Sequence, residues 1–98
     1  MSEDVEGWTI GSPVSILRVS IDVEGAGPRL HTHPYAETFV ILGGRARFTL
    51  GDEERDGAAG DILVAPPDVP HAFRVVGPET YRAVHIHANE RFVTEWLA

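Results

Sequence analysis

Between Gly25 and Gly44 the chain reads GAGPRLHTHPYAETFVILGG, and this stretch holds His31, His33 and Glu37. Each of the three can offer a lone pair to a divalent cation, two through an imidazole nitrogen and one through a carboxylate oxygen. Side chains alternate faces along a strand, so His31 and His33, two positions apart, point into one space. Pro34 then bends the chain, and Glu37 returns with its carboxylate. Two imidazoles and a carboxylate on three corners of an octahedron leave corners open for water, substrate or dioxygen. An HxH pair alone is a weak signal, and the reading needs a further donor.

A second segment, Gly60 to His71, supplies one. The short apolar run Ile62 to Ala65 ends at a proline-rich turn, Pro66 to Pro70, and the next strand starts at His71. Together the two segments resemble the two motifs of the cupin superfamily. The first motif, G-x5-HxH-x3-E-x6-G, is met by Gly25, His31, His33, Glu37 and Gly44. The second, G-x5-P-x-G-x2-H-x3-N, is met by Gly60, Pro66 and His71. Asp68 stands where the family has its turn glycine, and Asp tolerates the left-handed backbone region better than most residues. Val75 stands where the family has asparagine, which removes a polar partner but no metal ligand.

The resemblance is to a small, single-domain cupin of the cupin 2 conserved barrel type. It implies an all-β fold, the cupin jelly roll or double-stranded β-helix barrel. It also implies a metal site of His31, His33, Glu37 and His71 holding a divalent transition metal: iron, manganese, nickel, copper, cobalt or zinc. Three imidazoles and a carboxylate converging in a barrel leave unpaired polar groups, and one cation satisfies them together.

Composition limits the alternatives. The 98 residues carry a formal net charge of −7, with eight cations that are all arginine, which argues against a nucleic-acid partner. Without lysine there is no Schiff-base chemistry, and without cysteine no disulfide or thiolate site. No run of about 18 apolar residues and no signal-peptide pattern is present, so a soluble cytoplasmic protein, with no membrane partner, is the expectation.

The elements that must position these residues read as strands. Residues 1–7 are acidic and expected to form a flexible tail, with the barrel over 8–98. Trp8 to Ile10 reads as the start of a short strand. From Val14 to Val23, Leu17, Val19, Ile21 and Val23 alternate with Arg18, Ser20 and Asp22, the period of a half-buried strand. Thr38 to Leu42 is apolar on both faces, Gly43-Gly44 is a hairpin turn, and Arg45 to Leu50 alternates again. Gly51 to Gly60 is a loop with a brief strand. His71, Phe73 and Val75 share a face, and Tyr81 to Ala88 is a late strand. Residues 91–97 are either a closing strand or an amphipathic helical turn. Glycine or proline punctuates the chain throughout, as in a sandwich or small barrel.

Tyr35, Phe39, Phe48 and Phe73, with Ile41, are expected to wall a pocket, and Arg29 to be solvated. Trp8 and Trp96 are expected to pack on each other's strands or across a dimer. His85 and His87 share a face of the late strand. Because Val84 and Ile86 on the other face suit a core, a structural or subunit-interface place is favoured for both. If they point inward they are candidates for hydrogen bonds to the site or for an acid/base pair.

Fold and ligand set fix a reaction poorly. The leading reading is a metal-dependent, dioxygenase-like enzyme on a small organic substrate. The alternatives are a metal-dependent isomerase, epimerase or decarboxylase, or a module that binds a small ligand or metal without turnover. The two-faced Thr38 to Leu42 strand and the aromatic ends suggest a homodimer.

Overall fold

The computed structural model describes residues 2–98, and for Ser2 the backbone alone; Met1 of the expected tail lies outside the described residues. Ten strands follow one another: β1 Ser2–Val5, β2 Ser15–Ile21, β3 His31–Thr32, β4 Glu37–Gly43, β5 Arg45–Leu50, β6 Glu53–Ala58, β7 Ile62–Ala65, β8 His71–Val75, β9 Tyr81–His87 and β10 Glu95–Trp96. They form two five-stranded antiparallel sheets, in the orders β1-β2-β9-β4-β7 and β10-β3-β8-β5-β6. The sheets face each other as the jelly roll expected from the motifs. Among the described residues no helix is long and apolar enough to cross a membrane.

The pleat decides what lies inside. In β4 the inward positions are Glu37, Phe39 and Ile41; in β9 they are Tyr81, Ala83, His85 and His87; in β8, His71, Phe73 and Val75. One end of the interior is therefore an apolar core built on Phe39, Ile41, Phe48, Val75 and Tyr81, all buried. The other end is polar. Register joins the two, since Glu37 pairs with His87 and Phe39 with His85 across β4 and β9.

The turn between β4 and β5 closes through Gly44, whose φ is 71°. A Cβ there would lie 2.5 Å from the Thr80 carbonyl oxygen, so both the backbone conformation and the close approach call for glycine. Asp68 adopts the left-handed conformation, φ 65°, that its place in the second motif demands.

Several local expectations change. Residues 2–5, expected within a fraying tail, pair with β2 as an edge strand whose charged Glu3 and Asp4 stay in solvent. Trp8 to Ile10 does not start a strand. Gly7–Thr9 is a 3-10 turn, tied down where the Gly7 N–H donates to Ser15 Oγ at 2.9 Å and the Trp8 N–H to the Glu90 carbonyl at 3.1 Å. Each tryptophan lies under an arginine: the Arg91 guanidinium covers Trp8 at 4.6 Å and that of Arg29 covers Trp96 at 5.1 Å. In residues 91–97 only Glu95 and Trp96 are strand, because their partner β3 is itself two residues long. The outer face of β4 is half-open: Leu42 is 53% exposed, and Ile62 and Val64 of neighbouring β7 are exposed too.

Both tyrosines of the chain, Tyr35 and Tyr81, are buried, and burial pushes each hydroxyl up from its ordinary value, with the nearby Glu37 charge adding to the effect. A phenol whose folded-state pKa is raised contributes stability that is full below the unfolded value of about 10 and is lost as pH rises beyond it. The expected outcome is that tyrosinate absorbance stays low in the native protein at about pH 10 and rises only together with the loss of far-ultraviolet circular dichroism. A titration of either tyrosine near its free value in folded protein contradicts this placement.

Candidate metal centre

His31 lies on β3, His33 just beyond it, Glu37 opens β4 and His71 opens β8. All four are buried, and one ligand atom from each lies within 4.8 Å of the others. Their orientation is set by the backbone. The Nδ1–H of His31 donates to the Arg29 carbonyl at 2.6 Å, that of His33 to the Val93 carbonyl at 2.8 Å, and that of His71 to the Val69 carbonyl at 2.9 Å. A carbonyl only accepts, so Nδ1 carries the proton in each neutral ring and Nε2 keeps the lone pair.

Two of those lone pairs face an anion. Nε2 of His33 and of His71 stand 3.0 and 3.1 Å from Glu37 Oε1. Acceptor facing acceptor in a buried site is unfavourable unless positive charge enters between them. The spacing suits an ion: adjacent corners of an octahedron with bonds of ~2.1 Å are separated by about 3.0 Å. The donor set therefore fits a divalent transition metal at the four residues the motifs name.

Protonation agrees with this use. Burial alone raises the Glu37 pKa, and only hydrogen-bond donors or positive charge at its oxygens hold the carboxyl below the usual range; with the lone pairs of His33 and His71 turned to Oε1, that pull calls for a cation there. Burial lowers His31, against the pull of its bond to Arg29, which favours the neutral, ligating form.

His85 and His87 depart from the favoured expectation of a structural or interface place. Both are buried inside the barrel on the face shared with Tyr81 and Ala83, whereas Val84 and Ile86 lie on the outer face, half-buried. His85 Nδ1 and His87 Nε2 stand 3.4 and 3.2 Å from the other oxygen of Glu37, Oε2. Each leans on a tyrosine, His85 Nε2 at 2.9 Å from the Tyr81 hydroxyl and His87 Nδ1 at 2.6 Å from that of Tyr35. All five histidines of the chain thus gather at one carboxylate.

A cavity of about 410 Å³ opens beside this cluster, with Glu37, His85, His87, Phe73, Phe92 and Trp96 among its lining. Of the four expected pocket residues only Phe73 lines it. Tyr35 instead stacks on His33 at 5.1 Å, while Phe39 and Phe48 pack on each other at 5.0 Å behind the cluster, with Phe39 edge-on to His85 at 4.8 Å. Alternation in β2 makes Leu17, Val19 and Ile21, also in the lining, readable from sequence; nothing in the pattern marks Phe92 or Trp96. Trp96 reaches the site by packing on His31 at 5.0 Å. Its other contact, Arg29, is exposed as expected.

A buried three-histidine, one-glutamate set at the polar end of a double-stranded β-helix defines a class of metal-binding jelly rolls. The chain belongs to the cupin domain family, whose profile matches residues 17–92. It is 35% identical over 77 residues to "Polyketide synthase CurC" of Streptomyces cyaneus, a match that takes in 78% of this chain and 50% of that protein, so the chain spans about half the length of that relative. Among solved structures, a cupin-like protein of Thermotoga maritima superposes with a TM-score of 0.85 at 20% identity, covering 99% of this chain and 74% of that one. Oxalate decarboxylase of Bacillus subtilis gives 0.86 at 23% identity, covering 98% of this chain and 27% of that one. At such identities these two likenesses establish the fold alone.

Protein dialysed against each candidate metal is expected to retain a single divalent ion per chain at pH 7.5 and to release it below about pH 6, as the ligand imidazoles take up protons. Glu37→Gln and His71→Ala are expected to weaken binding by more than the roughly 10- to 100-fold that outer-sphere changes cost. Elemental analysis after dialysis decides; metal content unaffected by pH or by either substitution contradicts the site.

Proposed function

We propose that the chain is a metal-dependent enzyme acting on a small, mostly apolar organic substrate, dioxygenase-like in leaving coordination positions open. The observation that carries the reading is the set of backbone-fixed Nε2 lone pairs aimed at a buried carboxylate beside an apolar cavity. When bound, the divalent ion supplies Lewis acidity and, where it is redox-active, electrons for dioxygen chemistry. His31, His33, His71 and Glu37 would hold it. Phe73, Phe92 and Trp96 would bind the apolar body of the substrate and exclude water, a division of labour usual for small-molecule sites. The match to a protein named as a polyketide synthase supports polyketide-like compounds, rich in carbonyl and phenol oxygens, as the substrate class.

One observation favours a second reading, an isomerase or decarboxylase of a carbonyl compound. His85 and His87 face the same carboxylate from inside the cavity, where a proton can be held and moved. Oxygen consumption separates the two. Protein loaded with iron, manganese or copper is expected to take up oxygen with a phenol or diketone. Turnover that persists without oxygen transfers the assignment to the second reading, and binding without turnover for every metal overturns both.

The homodimer expectation belongs to this proposal. Across β4, β7 and β9, Val40 pairs with Ile62 and Val84, and Thr38 with Val64 and Ile86, giving a contiguous and largely apolar outer face. Light scattering is expected to give twice the 10.7 kDa chain mass, and Val40→Glu with Ile62→Glu to return the monomer. A monomeric native protein at micromolar concentration removes the dimer.

A further inference from the structure

The two histidines that no ligand set uses are not equivalent. The Tyr35 hydroxyl oxygen accepts the Val93 N–H at 3.1 Å, and its own proton is free to go to His87 Nδ1 at 2.6 Å. On the far side of the ring Nε2 stands 3.2 Å from a carboxylate oxygen, which can only accept. Both neighbours thus select the same tautomer, with Nδ1 accepting and Nε2–H donating. Yet Nε2–H is out of line with Oε2, and His87 Nε2 is a buried side-chain atom without a hydrogen-bond partner among the described residues. His85 differs, since its Nε2 is taken up by Tyr81 and its Nδ1 lies farther from Oε2, at 3.4 Å.

A buried donor without an acceptor is costly and rare, and the residue that carries it is one of those lining the cavity. Polar groups of Asp4, Glu37, His85 and Thr94 share the lining, and its remaining wall is apolar, aliphatic at Leu17 and aromatic at Phe73, Phe92 and Trp96. Such a wall takes a flat hydrocarbon surface and leaves one polar end to be satisfied. Phe92 meets the His87 ring edge-on at 4.9 Å, a contact that helps to hold the ring in place.

We propose that the His87 Nε2–H is the donor that receives the carbonyl oxygen of a planar, mostly apolar substrate, and that Tyr35 is a positioning residue that sets the donor through Nδ1. The inference rests on the reading of the cavity as a site for a small organic substrate and names the chemistry that it selects. The pair acts by hydrogen bonding; no proton or bond changes hands.

The test uses two probes of one shape, 2-acetylnaphthalene and 2-isopropenylnaphthalene, in which a methylene group replaces the carbonyl oxygen. Binding to the full chain, with and without zinc, is followed by tryptophan fluorescence, because Trp96 lines the cavity. The ketone is expected to bind about tenfold tighter than the alkene. His87→Leu is expected to abolish that preference, and His87→Gln, which keeps a donor, to retain part of it. Nitrogen-15 spectra of the native protein are expected to show His87 as the Nε2–H tautomer, shifting on saturation with the ketone, and to show mixed tautomers in Tyr35→Phe. Equal affinities for the two probes, a preference unchanged by His87→Leu, or a His87 resonance indifferent to the ketone overturns the inference. The spectra of the native chain decide even where a variant does not fold. Loss of turnover with the ketone preference intact counts against the enzyme reading alone; turnover without the preference counts against this inference alone.

Discussion

One carboxylate, buried among imidazoles, is the constraint to which the rest of the interior answers. An isolated ionised carboxylate is among the most expensive groups to remove from water, and it survives burial only with compensating partners. Glu37 has four imidazoles at 3.0 to 3.4 Å, two on each oxygen. These are not interchangeable, because backbone carbonyls hold His33 and His71 in one tautomer and tyrosine hydroxyls hold His85 and His87 in another sense. Removing one partner from such a network strands the others, so its members stand or fall together.

Strand geometry makes the convergence possible. His31 and His71 oppose each other across β3 and β8, and Glu37 opposes His87 across β4 and β9, so two ladders bring donors from distant stretches of chain to one level of the barrel. The next inward layer is Phe39, Phe48 and His85, and beyond it lie Ile41 and Tyr81. Polarity thus falls off along the barrel axis by steps of two residues on each strand. A slip of one residue in β9 would put Val84 and Ile86 at the carboxylate and both histidines outside, which is why register and site are a single specification.

Much of this is legible in the sequence. The spacing of His31, His33, Glu37 and His71 is local enough in two short segments to be read directly, and the glycine and proline punctuation marks the strands. The jelly roll follows from both. What escaped has a common cause in non-local pairing. YRAVHIHA carries apolar residues on both faces, Tyr81 and Ala83 on one and Val84 and Ile86 on the other, so alternation alone does not say which face is inside; its register against Glu37 does. Likewise SEDV has the composition of a frayed end and becomes a strand only because β2 offers it an open edge. Phe39 and Phe48 are interior but lie one layer too deep to line the cavity, while Trp96 enters its wall through a two-residue pairing that no periodicity announces.

The two oxygens of Glu37 make opposite electrostatic demands. Oε1 faces the lone pairs of His33 and His71 and lacks positive charge; Oε2 faces the ring edges of His85 and His87 at 3.4 and 3.2 Å, and the N–H that Tyr35 leaves on the near nitrogen of His87 is not in line with it. A cation held with the first pair would gain at Oε1, where it would replace repulsion by attraction. The carboxylate is in this way polarised across its width, with ion-binding chemistry on one side and hydrogen-bond donors on the other. The cavity opens on the side of His85 and His87. A molecule entering it meets the donors and the carboxylate at the same depth, so binding and metal chemistry share one wall because the same residue anchors both.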